Sequence, residues 1–239
     1  MTANYDAFEM VEYWQRIIRE KKDPYRTYVT DPALFNLFKT IPVPSHILDA
    51  GCGEGYVSRW LAKQGHQVVG IDASSKMILS AEQASIGSEK YLVLDLTELS
   101  FKSNSFDAVV SNLVLMEIEN LKKAVSEICR IINRGGKFIF QIIHPFYSFS
   151  TAKKLDPNFE NYFHTTKITK KFLVDGLESP FAVTWFHRSL EEYVAILNEE
   201  GFVIQSMLEP TPISDTPPDH FIRNWCKEPK FLIFDTVKN

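Results

Sequence analysis

Residues with chemical potential crowd into one short stretch, ILDAGCGEG at positions 47–55, which holds Asp49, Gly51, Gly53, Glu54 and Gly55. Glycines admit positive φ and let a backbone approach a ligand closely. A helix starting beside them, near Tyr56, turns unpaired N–H groups and a partial positive charge toward that ligand. Three kinds of loop compete for this description. In the dinucleotide fingerprint G-x-G-x-x-G/A the third small residue lets helix and strand pack closely, and here Tyr56 stands in its place. A phosphate-binding P-loop needs G-x-x-x-x-G-K-[ST], and no such lysine follows. An ordinary glycine-rich turn needs no ligand at all.

Further carboxylates inform the choice. Asp72 follows Asp49 by 23 positions and closes the next apolar run, where a carboxylate accepts both hydroxyls of a ribose. Asp95 closes the third run and is placed to accept from an adenine amino group. Asp49 is placed to act on an amino-acid ammonium, directly or through water. A ligand with a ribose, an adenine and an amino acid, but no phosphate, fits this distribution of acids.

The elements that must position these groups follow from periodicity. Apolar runs at 46–50, 67–71, 91–95, 106–112, 137–143, 202–208 and 230–237 read as strands, the fifth following a Gly135–Gly136 stop. Stretches 56–63, 74–84, 120–132 and 189–200 carry apolar residues at helical spacing. Short apolar strands alternating with amphipathic helices predict an α/β fold, a mainly parallel sheet covered on both faces. Ligands bind such sheets at the carboxyl ends of the strands, so function is expected just after Ala50, Ile71, Asp95, Asn112 and Ile143. Two regions fall outside the repeat. Residues 1–44 read as an N-terminal helical cap, and residues 144–188 as a lid insertion, with a hairpin around Asp175 and Gly176. Both are aromatic-rich and belong to one domain spanning 1–239.

Composition bounds the rest. The 239 residues are 45% hydrophobic and carry 18 Phe, 9 Tyr and 4 Trp, which excludes disorder over most of the length. A net charge of −4 argues against a dedicated nucleic-acid binder. The N-terminus has no basic region leading into an apolar one, and no apolar run approaches the ~20 residues of a membrane span. Three cysteines, Cys52, Cys129 and Cys226, fit neither a disulfide framework nor a zinc site. A cytoplasmic protein without metal, membrane or nucleic-acid partner, monomeric or homodimeric, is the expectation.

From about 46 to 145 the chain resembles the class I S-adenosylmethionine (SAM) dependent methyltransferases. The resemblance rests on DAGCGEG at 49–55, GID at 70–72, LDL at 94–96, FDAVVSN at 106–112 and RGGKF at 134–138. It implies a Rossmann-like seven-stranded sheet with one antiparallel strand and helices on both faces. It also implies a SAM site of Asp49, Gly51, Cys52, Gly53, Asp72, Ala73, Met77, Asp95, Leu96, Asn112 and Leu113. The implied reaction is in-line methyl transfer to a nitrogen or oxygen of a small metabolite, leaving S-adenosylhomocysteine (SAH). Methylation of a protein or RNA, and SAM binding without turnover, are the alternatives. His144 at the functional edge is the acid/base candidate, with His187 and Tyr147 beside it. Tyr28, Phe146, Tyr162, Trp185 and Arg188 are the candidates for holding substrate.

Overall fold

The computed structural model describes residues 5–155, 159–171, 173–212 and 228–239. Seven strands form one sheet: β1 (His46–Ala50), β2 (Gln67–Asp72), β3 (Glu89–Val93), β4 (Phe106–Asn112), β5 (Ile132–Ile143), β10 (Phe202–Leu208) and β11 (Phe231–Lys238). Their order is β10-β11-β5-β4-β1-β2-β3. β11 runs antiparallel to both neighbours, β5 and β10, while β1 through β5 pair in parallel. Order and direction are those of the class I methyltransferase sheet.

Alternation along the strands shows why the sheet is buried on both sides. Leu48, Val69, Ile71, Val109, Phe138 and Phe140 pack with α5 (Leu121–Ile131) and α7 (Leu190–Glu199). Ile47, Val68, Ala108, Val110 and Ile139 pack with α2 (Asp31–Phe38) and α3 (Tyr56–Lys63). The four-residue spacing of Leu121, Val125 and Cys129 and that of Ala124 and Ile128 give α5 a continuous apolar face. The sheet is therefore a rigid two-faced platform, and only its strand ends remain free to carry a site.

Two strand expectations shift. β3 begins and ends two residues earlier than the 91–95 reading, so Leu94 and Asp95 lie beyond it. β5 begins at Ile132, not after the glycine pair. Phe106 pairs with Ile132 but Ala108 with Lys137, so the extra residues, with Gly135 at φ +76, are absorbed as an irregularity inside the strand.

Outside the sheet, the first residues form α1 (Phe8–Arg19), a π-helical turn (Arg26–Thr30) and α2. The later insertion opens with α6 (Pro145–Leu155), a helix the aromatic pattern did not predict, with Pro at its first position. β6 (Thr166–Lys170) then pairs antiparallel with β9 (Val183–His187). The small hairpin β7 (Leu173–Val174) and β8 (Leu177–Glu178) turns through Asp175 and Gly176, as expected. α4 (Ser75–Gln83) follows β2. Cys52 and Cys129 are free thiols, and Cys226 lies outside the described residues. Among the described residues no helix is long and apolar enough to cross a membrane, and no group of three or more His, Cys, Asp or Glu side chains is placed to hold a metal ion.

Candidate active site

A cavity of about 840 Å³ lies at the carboxyl ends of the parallel strands. Its floor is lined by Gly51, Cys52, Gly53, Glu54 and Tyr56 after β1, by Asp72, Ala73 and Met77 after β2, and by Leu94 to Thr97 after β3. Asn112, Leu113, Val114, Met116 and Glu117 follow β4. The roof brings Tyr5 from the turn before α1, Trp14, Tyr25 and Arg26 from the first helices, Tyr147, Ser148 and Thr151 from α6, and Thr184 to Phe186 from β9.

The glycines of the turn have different tasks. Gly51 has φ +82, and a Cβ there would stand 2.3 Å from the Val114 side chain. It is required by close packing with the loop after β4. At Gly53, φ +54, a Cβ would meet nothing within 4 Å, so the absent side chain leaves open peptide surface at the cavity. Its N–H donates to Asp72 Oδ2 at 3.0 Å, and Ser74 N–H donates to Oδ1 at 2.9 Å. These donors, with the Ala73 N–H also acting on the group, fix the carboxylate and still leave it acceptor capacity for a ligand. Burial raises the Asp72 pKa, with those N–H groups pulling it back.

Asp95 accepts from the Thr97 N–H and hydroxyl, both at 2.7 Å. It caps the turn after β3 and lines the cavity as well. Leu113 has φ +61, a strained conformation for a bulky residue, held by its N–H donating to Gln141 O at 2.9 Å. Cys52 is buried beside Ile78, Ala81 and Tyr91; burial, with Asp49 and Asp72 nearby, pushes its thiol well up.

A polar chain crosses beneath the cavity. Gln141 Nε2 donates to Asn112 Oδ1 at 3.0 Å, Asn112 Nδ2 donates to the Tyr56 hydroxyl, and that hydroxyl donates to Asp31 Oδ1 at 3.1 Å. Burial pushes the Asp31 pKa up to about 7, against Arg26 and the Tyr56 bond. Arg26 stacks over the Tyr56 ring at 4.4 Å, and its Nη1 is buried without a hydrogen-bond partner. Tyr56, the residue that breaks the dinucleotide fingerprint, is thus a wall of the site.

Several expected residues stand elsewhere. Asp49, 1% exposed, does not line the cavity. Strand alternation sends it to the face of Ile47, where it accepts from Ser58 Oγ of α3 at 2.6 Å. Burial pushes its pKa up to about 7. His144 is likewise outside. Its Nδ1 accepts from Phe146 N–H at 3.1 Å and its Nε2 lies 3.0 Å from Glu209, so it ties down the start of α6; burial lowers its pKa. His187 is fully buried among Phe149, Phe159 and Tyr162, with Nε2 donating to Tyr162 O at 2.8 Å. Tyr162 accepts from Leu190 N–H at the start of α7.

Arg188, 2% exposed, donates to Ile118 O at 2.6 Å and Glu119 O at 2.9 Å. It positions the cavity loop after β4 without touching the cavity. Phe146 is 49% exposed and Tyr28 packs with Val29, both away from the lining. Of the expected catalytic and substrate residues, Tyr147 and Trp185 do line it, Trp185 donating to Ser148 Oγ at 3.3 Å.

The motif reading missed Tyr5 and Glu117. Asp6 accepts from Ser74 Oγ, Ser75 Oγ and the Lys76 N–H at the start of α4. This brings the Tyr5 hydroxyl within 2.8 Å of Glu117 Oε1. Burial pushes the Glu117 pKa up to about 8, against that bond. Glu54, expected near the site, does line it, but Arg19 and Arg59 hold it at 3.2 and 2.6 Å.

Residues 48–140 match a family profile described as a methyltransferase domain. The chain has the fold of the class I S-adenosylmethionine-dependent methyltransferases. It is similar to a malonyl-[acyl-carrier protein] O-methyltransferase of Buchnera aphidicola, 34% identical over 142 residues, 59% of this chain and 50% of that one. It spans half or less of the first relatives of that name. An uncharacterized methyltransferase of Schizosaccharomyces pombe is 28% identical over 95% of this chain and 88% of its own. A solved S-adenosylmethionine dependent methyltransferase from Mesorhizobium loti superposes with a TM-score of 0.64 at 24% identity, over 87% of this chain and 96% of that one.

Proposed function

We propose that the protein moves a methyl group from SAM to a nitrogen or oxygen of a small acceptor enclosed by the roof. The observation that carries this reading is the pairing of Gly53 and Asp72. An open peptide surface and a carboxylate with free lone pairs face the same cavity. Asp72 would hold the ribose hydroxyls. Asp95 and Leu96 would meet the adenine, with Ala73 and Met77 beside the ribose. The unpartnered Arg26 Nη1 would take the amino-acid carboxylate, an ion pair with charge-assisted hydrogen bonds. Asn112 and Leu113 would flank the reacting end.

When bound, SAM supplies a methyl group on a positively charged sulfur, already a strong leaving group. The chain's task is then positioning. Holding an acceptor atom ~3–3.5 Å from the methyl carbon and in line recovers ~7–11 kcal/mol of the barrier. Trp185, Met116 and Tyr147 narrow the space over the strand ends and exclude water. Glu117 is the carboxylate in the cavity suited to take a proton from an acceptor that arrives protonated, a role worth roughly 10²–10⁴-fold. The relatives named for malonyl-[acyl-carrier protein] favour oxygen as the acceptor atom, a carboxylate needing no base. Calorimetric titration with SAM and SAH, then an acceptor screen read by SAH release, tests the proposal. Failure to bind either nucleoside overturns it.

A further inference from the structure

The basic side chains of the cavity are not equivalent. Arg26 lies against Tyr56 and the glycine turn. Lys167 and Lys170 come from β6, and Lys230 from the residue just before β11. Other basic side chains do have carboxylate partners, Arg19 and Arg59 on Glu54, Lys137 on Asp235 and Lys171 on Glu178. Among the described residues no carboxylate lies within 4.0 Å of the Lys167, Lys170 or Lys230 ammonium groups.

Lys230 is the best built of the three. Its Nζ lies 4.5 Å from the centre of the Tyr25 ring and 5.5 Å from that of Tyr147, and it donates to the Tyr25 hydroxyl. Its carbonyl accepts from His144 N–H at 2.9 Å, which ties it to the end of β5. Ring faces hold a cation in place without cancelling its charge. An ammonium has three donors, and Tyr25 takes one, so two remain. A half-buried ammonium with unspent donors favours an anion beside it. The acids nearby do not fill that role. Asp23 accepts from the Tyr25 and Arg26 N–H groups, Glu117 accepts from Tyr5, Glu228 acts on the Tyr25 hydroxyl but lies beyond 4.0 Å of the Lys230 ammonium, and Glu119 and Asp175 are exposed at the rim.

We propose that Lys230, seated between Tyr25 and Tyr147, binds an oxyanion of the methyl acceptor, a carboxylate or a phosphate. Lys167 and Lys170 extend the positive field along the β6 rim. This rests on the cavity being a methyl-transfer site, and it names the acceptor's class: a small molecule or carrier-bound group that arrives negatively charged.

The test uses the whole chain saturated with SAH, titrated by calorimetry at fixed ionic strength with glutarate, phenyl phosphate and the neutral glutaramide. At least one anion binds saturably and glutaramide does not; the tighter anion tells carboxylate from phosphate. Lys230→Gln weakens the anion by roughly tenfold or more, and Lys230→Arg retains most of the affinity. Neither anion binding, glutaramide binding equally, or Lys230→Gln binding like the wild type overturns the proposal. The wild-type contrast between acid and amide stands even if the Gln variant does not fold. SAH is titrated first in the same protein, so a failed cofactor reading shows there and is distinct from a failed anion site.

Discussion

Floor and roof of the cavity are built on different plans. The floor takes its residues in chain order from consecutive strand ends, Gly51 to Thr97 and then Asn112 to Asn120. Each is placed by a local rule, a strand stopping and a glycine or a cap turning the chain. The roof gathers residues from the first helices, from α6, from the β6–β9 ribbon and from Lys230 and Phe231. Nothing local joins these. They meet through side chains: Asp6 on the start of α4, Arg188 on the loop after β4, Tyr25 against Phe231. A floor of this kind is suited to one constant nucleoside ligand, a roof of this kind to a variable acceptor.

Variants that strike one wall and spare the other break or sharpen this contrast. The largest effect is expected at the floor. On the proposed cofactor site, Asp72→Ala removes the carboxylate assigned to the ribose and is expected to lower SAM affinity roughly 100-fold or more; calorimetry that shows wild-type affinity would remove Asp72 from that site. Next comes the tie between the walls. Arg188→Met strands the Ile118 and Glu119 carbonyls, costs about 3 kcal/mol and lowers Tm by roughly 10 °C. SAM affinity falls less than in Asp72→Ala.

Third is the pH profile. Asp31, Asp49 and Glu117 have folded pKa values raised by burial to about 7, 7 and 8, from 3.8, 3.8 and 4.5. The folded state therefore binds more protons than the unfolded one between those limits. The stability these groups contribute is full below the lower values and is lost as pH rises through 7–8. Asp49→Asn keeps the Ser58 bond, cannot ionise, and flattens that loss. Thermal melts across pH check it, and an unchanged slope would mean that Asp49 ionises freely in the fold. The smallest effect is at the roof. His144→Ala removes the acceptor at the start of α6, costs about 1 kcal/mol and leaves the chemical step intact. A loss of turnover larger than the loss of stability would return His144 to the catalytic group.

How much was legible follows the same division. Gly51, Gly53, Asp72, Asp95 and Asn112 were readable as cavity-lining residues because each sits at or just past a strand end, where alternation of strand and helix dictates direction. Asp49 was misplaced by one step of that alternation: its neighbours' parity sends it toward Ser58, away from the cavity. The histidines were misread because a titratable residue near a strand end looks alike whether it faces the cavity or, like His187, is sealed behind Phe149 and Phe159. Tyr5, Glu117 and Lys230 carried no motif. In the roof, Tyr147 and Trp185 were readable as lining residues, and the hairpin around Asp175 and Gly176 by its turn chemistry.

The amino-acid sequence alone determined the platform: apolar runs of strand length, helices of matching period, and a glycine turn that no side chain but hydrogen suits. It thereby determined where the cavity's floor would lie. Only the tertiary structure decided which charged groups are spent and which are free, because neutralisation depends on distances between segments far apart in the chain. Glu54 is held by two arginines, Arg188 by two backbone carbonyls and Glu192, and Lys230 lies between two tyrosine rings with no carboxylate beside it among the described residues. Residue type is the same before and after folding; the field it presents to a ligand is not.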